Sequence, residues 1–300
     1  MQIQYYRAAW NDLKSSPNWF GKLCLLALVG WIPIFGQIVI FGYLYGWARE
    51  MAWGVHEPLP AKIFGNEDGK LYRRGWYIFV LVFVLSLVPS IVMGIGSSMQ
   101  QTVYLNGIAD GDGTGLGVSA GFGGLLYFVG IALSLLISIF GWIGYMRIAV
   151  YDRLSSGFQF GKIWKMLRHD TNGILRIFGM YLLVNLIVGL VLSIVIVALL
   201  ILVIFAGVGG LASAGYTAGS FESMTDAQAT QVLLLLFSSV GVVGIISLAI
   251  GAFACSLASV YVEALVARAM GYWTMQFDVP HWRGQDDPMP FELQQMPPSA

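Results

Sequence analysis

The chain has 300 residues, 57% of them hydrophobic and 11% charged, where an ordinary soluble domain carries about 25% charged residues. Its 16 basic residues balance 16 acidic ones, which argues against nucleic acid as a partner. A mean hydropathy of +0.74 demands a solvent other than water, so the lipid bilayer is the first partner expected.

The start, Met1-Gln2-Ile3-Gln4-Tyr5-Tyr6-Arg7, lacks the basic region running straight into an apolar core that marks a signal peptide. The first apolar segment is therefore expected to be retained. That segment, residues 19–48, is interrupted by Trp31-Ile32-Pro33-Ile34-Phe35-Gly36-Gln37. Proline removes a backbone donor and glycine permits a turn. It reads either as one kinked span or as two short helices forming a hairpin, with a re-entrant loop as the close variant. One span would strand Arg7, Lys14 and Lys22 on the far side, whereas a hairpin keeps them with the other cations, and the hairpin is favoured.

Four later stretches, residues 76–96, 122–148, 174–205 and 232–262, reach the roughly 20 apolar residues that cross a bilayer. The connectors 96–121 and 206–231 hold no Lys or Arg; their charges are Asp110, Asp112, Glu222 and Asp226. The other connectors are basic. Because basic residues stay cytoplasmic during insertion, the expected fold is an all-α polytopic bundle of three helical hairpins with both termini cytoplasmic, in an inner (cytoplasmic) membrane. The hairpins fall at about 19–54, 76–154 and 174–273, within one membrane domain over 1–277. A polar, proline-bearing tail follows over 278–300, flexible past Gly284 or docked on a partner, with Trp273, Phe277 and Trp282 anchoring its start at the interface.

Three stretches before the hairpins look alike: Trp10-Asn11-Asp12-Leu13-Lys14 leading to Lys22, Ile63 to Trp76 with Asn66-Glu67-Asp68-Gly69, and Ile163 to Arg176 with Asp170-Thr171-Asn172-Gly173. The hairpins also close alike, on aromatic residues beside Arg49, Arg147 and Arg268. This reads as a threefold repeat. Its aromatic anchors are expected on short interfacial amphipathic helices, the clearest over 158–168 with Phe160, Ile163, Trp164 and Leu167 on one face, and the middle one introduced by Pro58 and Pro60.

These residues resemble a family of uncharacterised prokaryotic polytopic membrane proteins, number 4013 in the domain-of-unknown-function series. The matching features are the Ile32-Pro33-Ile34-Phe35-Gly36-Gln37 break, Gly42-Tyr43 with Arg49, the Gly54 to Leu59-Pro60 connector, Gly75, and the connector from Phe158 to Trp164. The resemblance covers roughly residues 5 to 270. It implies the fold and carries no activity, so no catalytic residue follows from it.

Chemistry is sparse. His56, His169 and His281 lie in connectors or the tail, without paired-His or Cys-x-x-Cys spacing, so no metal or cofactor is expected. Cys24 and Cys255 sit in apolar segments and read as small hydrophobes. Asp110-Gly111-Asp112-Gly113 begins like a calcium loop, but the twelfth position is Gly121 where Glu is needed, so a Gly-rich outer loop is favoured. The interfacial and structural candidates are Pro33, Gly36, Arg49, Glu50, Arg147, Trp164, Asn185, Glu263 and Arg268. The arginines are expected to snorkel, or to pair with Glu50 or Glu263. Asn185, deep in a span, is expected to bond between helices. With no catalytic constellation, the expected function is a structural, accessory or assembly role beside other membrane subunits. The alternative is a transporter or lipid-handling protein built on the broken first hairpin.

Overall fold

The computed structural model describes residues 4–65, 68–110, 116–215, 225–282 and 284–293, and every element in them is helical. Helix α1 (Tyr5–Ser15) buries Tyr6, Ala9 and Leu13. Helices α2 (Trp19–Val29) and α3 (Phe35–Ala52) are split at Pro33, where Ile34 has φ +63°. Gly36 is required there, because a Cβ would run into the Val29 carbonyl at the end of α2.

The long helices are α4 (Leu71–Asp110), α5 (Leu116–Tyr151), α8 (Thr171–Ser213) and α9 (Asp226–Met275). Each contains a segment long and apolar enough to cross a membrane: Leu71–Gln101, Gly121–Tyr151, Thr171–Ser213 and Ala229–Met275. These are the four spans expected, each extended by a turn or more. Between α5 and α8 lie α6 (Leu154–Gly157) and α7 (Phe160–His169); a 3-10 turn (Val279–His281) and α10 (Pro290–Leu293) follow α9.

Helix α4 packs chiefly on α5, and α8 on α9. Gly96 and Gly123 meet across the first pair, where a Cβ on either would crowd the other's carbonyl; small residues allow such approach in membrane bundles. Helix α3 is the wedge between the pairs, touching α4, α5 and α9. It crosses α4 at Gly42 and Gly75, and α9 at Gly271. The core therefore gathers at one end of the bundle, around Tyr45, Trp47, Trp273 and Phe277. Away from that end, α8 is exposed along its apolar length.

Several expectations are corrected. Trp273 and Phe277, read as interface anchors, are buried core residues. The middle amphipathic helix does not form among the described residues between Ala52 and Leu71. Its backbone is engaged instead by distant side chains: Trp47 Nε1 donates to the Glu57 carbonyl (2.9 Å), Lys22 Nζ to Leu59 (2.9 Å) and Tyr43 Oη to Pro60 (2.8 Å). Helix α7 does form, with Ile163 and Met166 buried and Phe160 and Trp164 exposed. The described part of the tail, 284–293, lies against α5, α6 and α7, with Met289 buried. The calcium-like stretch and the tail past Leu293 fall outside the described residues.

Candidate functional site at the polar end of the bundle

The three arginines that close the hairpins turn inward. Arg49 is 8% exposed, Arg147 0% and Arg268 1%, so none snorkels. Each guanidinium lies over the aromatic ring four residues later, one helical turn on: Arg49 over Trp53 at 4.6 Å, Arg147 over Tyr151 at 5.2 Å, and Arg268 over Tyr272 at 5.8 Å, with Trp47 on Arg268 as well at 4.5 Å. Planar, weakly hydrated guanidinium suits this burial where ammonium would not.

Their anions are not the expected glutamates. Arg268 Nε donates to Asp12 Oδ2 at 2.7 Å, Nη1 to the Trp47 carbonyl at 2.9 Å and Nη2 to the Glu57 carbonyl at 3.3 Å. Tyr272 Oη donates to the same Asp12 oxygen at 2.8 Å. One side chain thereby ties α9 to α1, α3 and the 53–70 connector. Asp68 accepts from Arg49 at 2.9 Å and from the buried Arg74, joining α3 to α4. Burial pushes the Asp68 carboxyl up, but Arg74, the Lys70 N–H and Arg49 outweigh it and hold the group below its ordinary value. Among the described residues Arg147 pairs with no carboxylate; it donates to the Ser156 and Gln285 carbonyls and to Gln159.

Further locks surround these. Asp152, whose φ of +55° ends α5, pairs with Arg73 and Lys70. Asp170 caps α8 by accepting from the Gly173 N–H at 2.9 Å, and also takes Trp273 Nε1 at 3.1 Å and Gln276 Nε2 at 3.0 Å. Lys165 and Lys162 bind Glu292 at 2.6 and 3.4 Å. Burial raises Glu292, yet those lysines and the Met289 N–H win and lower it. Asp68 and Asp170 occupy the polar turns of the second and third look-alike stretches, whereas Asp12 sits one turn earlier, inside α1.

Glu50 and Glu263 form no ion pair with arginine among the described residues. Glu263 accepts from Tyr45 Oη at 2.9 Å, and Tyr6, Tyr145 and Tyr181 lie within electrostatic range of it. Glu50 lines a cavity of about 90 Å³ with Lys62, Asp68 and Arg74, room for a few waters. Trp164 is 50% exposed and stacks on Phe140 at 6.2 Å. Asn185 is exposed and bonds the Tyr181 carbonyl of its own helix at 2.8 Å, not a neighbouring one. Pro33 and Gly36 are exposed and buried respectively, at the hairpin tip. His169 packs on Phe291 and Phe277, and His281 meets Asp278. Among the described residues no three or more His, Cys, Asp or Glu are placed to hold a metal ion. The polar end is chemically a set of interlocks joining helix termini across the chain.

The fold and this end together define an all-helical protein with four helices fit to cross a membrane and one polar, cross-linked face. Residues 25–197 match the family model described as "Protein of unknown function (DUF4013)". That is more than half of the 300 residues, and the chain belongs to this family. No curated protein and no solved structure matches it.

Proposed function

We propose that this chain is a non-catalytic integral membrane protein that organises or accompanies other subunits of a membrane complex. Its polar end faces the cytoplasm with both termini, and three hairpins enter the inner membrane, the first as a re-entrant pair. The observation that carries the reading is the exposed apolar length of α8. Exposed apolar side chains run from Leu175 to Val208, a rise of about 50 Å. The hydrocarbon layer is about 30 Å thick, and even a tilt of about 40° leaves the apolar run longer than that. The excess lies at the level of the headgroups, where a protein neighbour would cover it. The interlocked polar end supports the same reading, since Arg49, Arg74 and Arg268 are each engaged by a carboxylate of another segment. Transport along the broken hairpin has less support: the cavities described line neither Pro33 nor Asn185.

The test is isolation from native membranes in a mild detergent, with the accompanying chains identified by mass spectrometry. A reproducible partner, lost when Leu200 and Ile204 on the exposed run are changed to serine, supports the proposal. A chain that always isolates alone, however mild the detergent, overturns it.

A further inference from the structure

Two cavities lie along one face of α8. Near the polar end, a cavity of about 330 Å³ is lined by Tyr5, Tyr6 and Arg7 of α1 and by Arg176 and Met180 of α8. Its lining carries two guanidinium groups and, among the described residues, no carboxylate. Gln4 lines it too and accepts from Arg7 at 3.4 Å, and Asp170 lies within hydrogen-bond reach of Tyr5. Deeper in the membrane, a second cavity of about 520 Å³ is walled by Ile187, Val191 and Val195 of α8. Its other sides are Phe20 and Leu23 of α2, and Ala254 and Ala258 of α9.

The spacing 176, 180, 187, 191, 195 follows the three-and-four rhythm of one helix face. Helix α1 contributes to both cavities, through Tyr6 below and Trp10 above. At 1.5 Å per residue, Ile187 and Val195 lie about 16 and 28 Å along α8 from Arg176. One leaflet's hydrocarbon is about 15 Å thick, with a headgroup zone of roughly 5–8 Å outside it. The far part of an acyl chain whose phosphate sits at Arg176, about 16–23 Å along, therefore reaches the near end of the upper cavity. Two arginines suit a phosphate, which accepts charge-assisted hydrogen bonds from guanidinium forks.

We propose that α1, α2, α8 and α9 form a site for one anionic phospholipid of the leaflet at the polar end, its phosphate between Arg7 and Arg176 and one acyl chain in the groove beside Ala254 and Ala258. The site is independent of any protein partner.

Native mass spectrometry tests this on the full chain, stripped of endogenous lipid in detergent. The probes are phosphatidylglycerol, phosphatidylcholine with the same chains, and glycerol 3-phosphate. One phosphatidylglycerol is expected to bind, well ahead of the other two. Arg7→Gln with Arg176→Gln is expected to weaken it at least about tenfold, the loss of one or two charge-assisted hydrogen bonds. Ala258→Phe, which fills the groove and leaves the arginines in place, is expected to weaken both phospholipids. Unfolding temperature without added lipid reports that each variant is folded. Equal retention of phosphatidylcholine, binding of glycerol 3-phosphate as tight as that of phosphatidylglycerol, or unchanged phosphatidylglycerol binding in either folded variant overturns the proposal.

Discussion

Arg268 shows at the scale of one residue how this protein uses its few charges. All three of its guanidinium nitrogens are occupied, and the ring of Trp47 covers it. Removing the side chain in Arg268→Ala strips Asp12 of its cation and leaves the Glu57 carbonyl with Trp47 Nε1 alone. Breaking a buried pair from one side costs about 3–5 kcal/mol, so a large fall in unfolding temperature in detergent is expected. Arg7→Ala, at an exposed position, is expected to leave that temperature unchanged. Asp68 sets a pH dependence. Its folded carboxyl is held below its ordinary value, so its contribution is complete above the unfolded range near pH 4 and is lost as pH falls through the lower folded value. Unfolding temperatures of wild type and Asp68→Asn, compared from pH 7 down to 3, should therefore differ most at neutral pH and converge in acid; a constant gap would show that Asp68 stays protonated or unpaired. The arginines were legible because each stands beside aromatic residues at the end of an apolar run. Their carboxylates were not: Asp12 lies 256 residues from Arg268, and only the folded chain brings them together.

The elements were legible to the extent that they are apolar. Hydropathy placed the four long helices but ended each too early, since a hydropathic window stops at polar residues while a helix stops at its cap. Asp170 at the start of α8 and Asp152 at the end of α5 mark the real ends. The missing middle helix failed for a different reason, because side chains from α2 and α3 bond the carbonyls of Leu59, Pro60 and Glu57 and hold that backbone outside a helix. Close crossings are equally invisible in hydropathy and depend on single hydrogens. A Cβ at Gly75 would run into the Ile38 carbonyl of α3, whereas one at Gly94, on the same helix, meets nothing within 4 Å. Gly75→Ala is thus expected to cost about 1–3 kcal/mol by forcing α3 and α4 apart. Gly94→Ala should be neutral or stabilising, through helix propensity alone, by up to about 1 kcal/mol. Paired melting curves read the contrast; equal shifts would mean that α3 and α4 do not cross at Gly75.

The whole molecule turns on how the first apolar region meets the bilayer. Helix α2 has 11 residues and α3 has 18, rises of about 16 and 27 Å against about 30 Å of hydrocarbon. Each limb is shorter than that layer is thick. Lys22, at the foot of α2, bonds the Leu59 carbonyl just beyond α3, so both feet stand at the same end. Trp31, Ile32, Ile34 and Phe35 are exposed at the tip, apolar side chains suited to lipid. A re-entrant hairpin satisfies both observations and keeps Arg7 with the other cations, whereas a single span would separate them. Introduced cysteines distinguish the two, in a background with Cys24→Ala and Cys255→Ala. Gln4→Cys and Trp53→Cys, at opposite ends of the region, are both expected to react with a membrane-impermeant maleimide only when the cytoplasmic side is open. Ala214→Cys, just past α8, should react from the other side, and Ile32→Cys at the tip from neither. If Gln4→Cys reacts from the side that labels Ala214→Cys, the region is one kinked span, and the grouping of all cations at one end is lost with it.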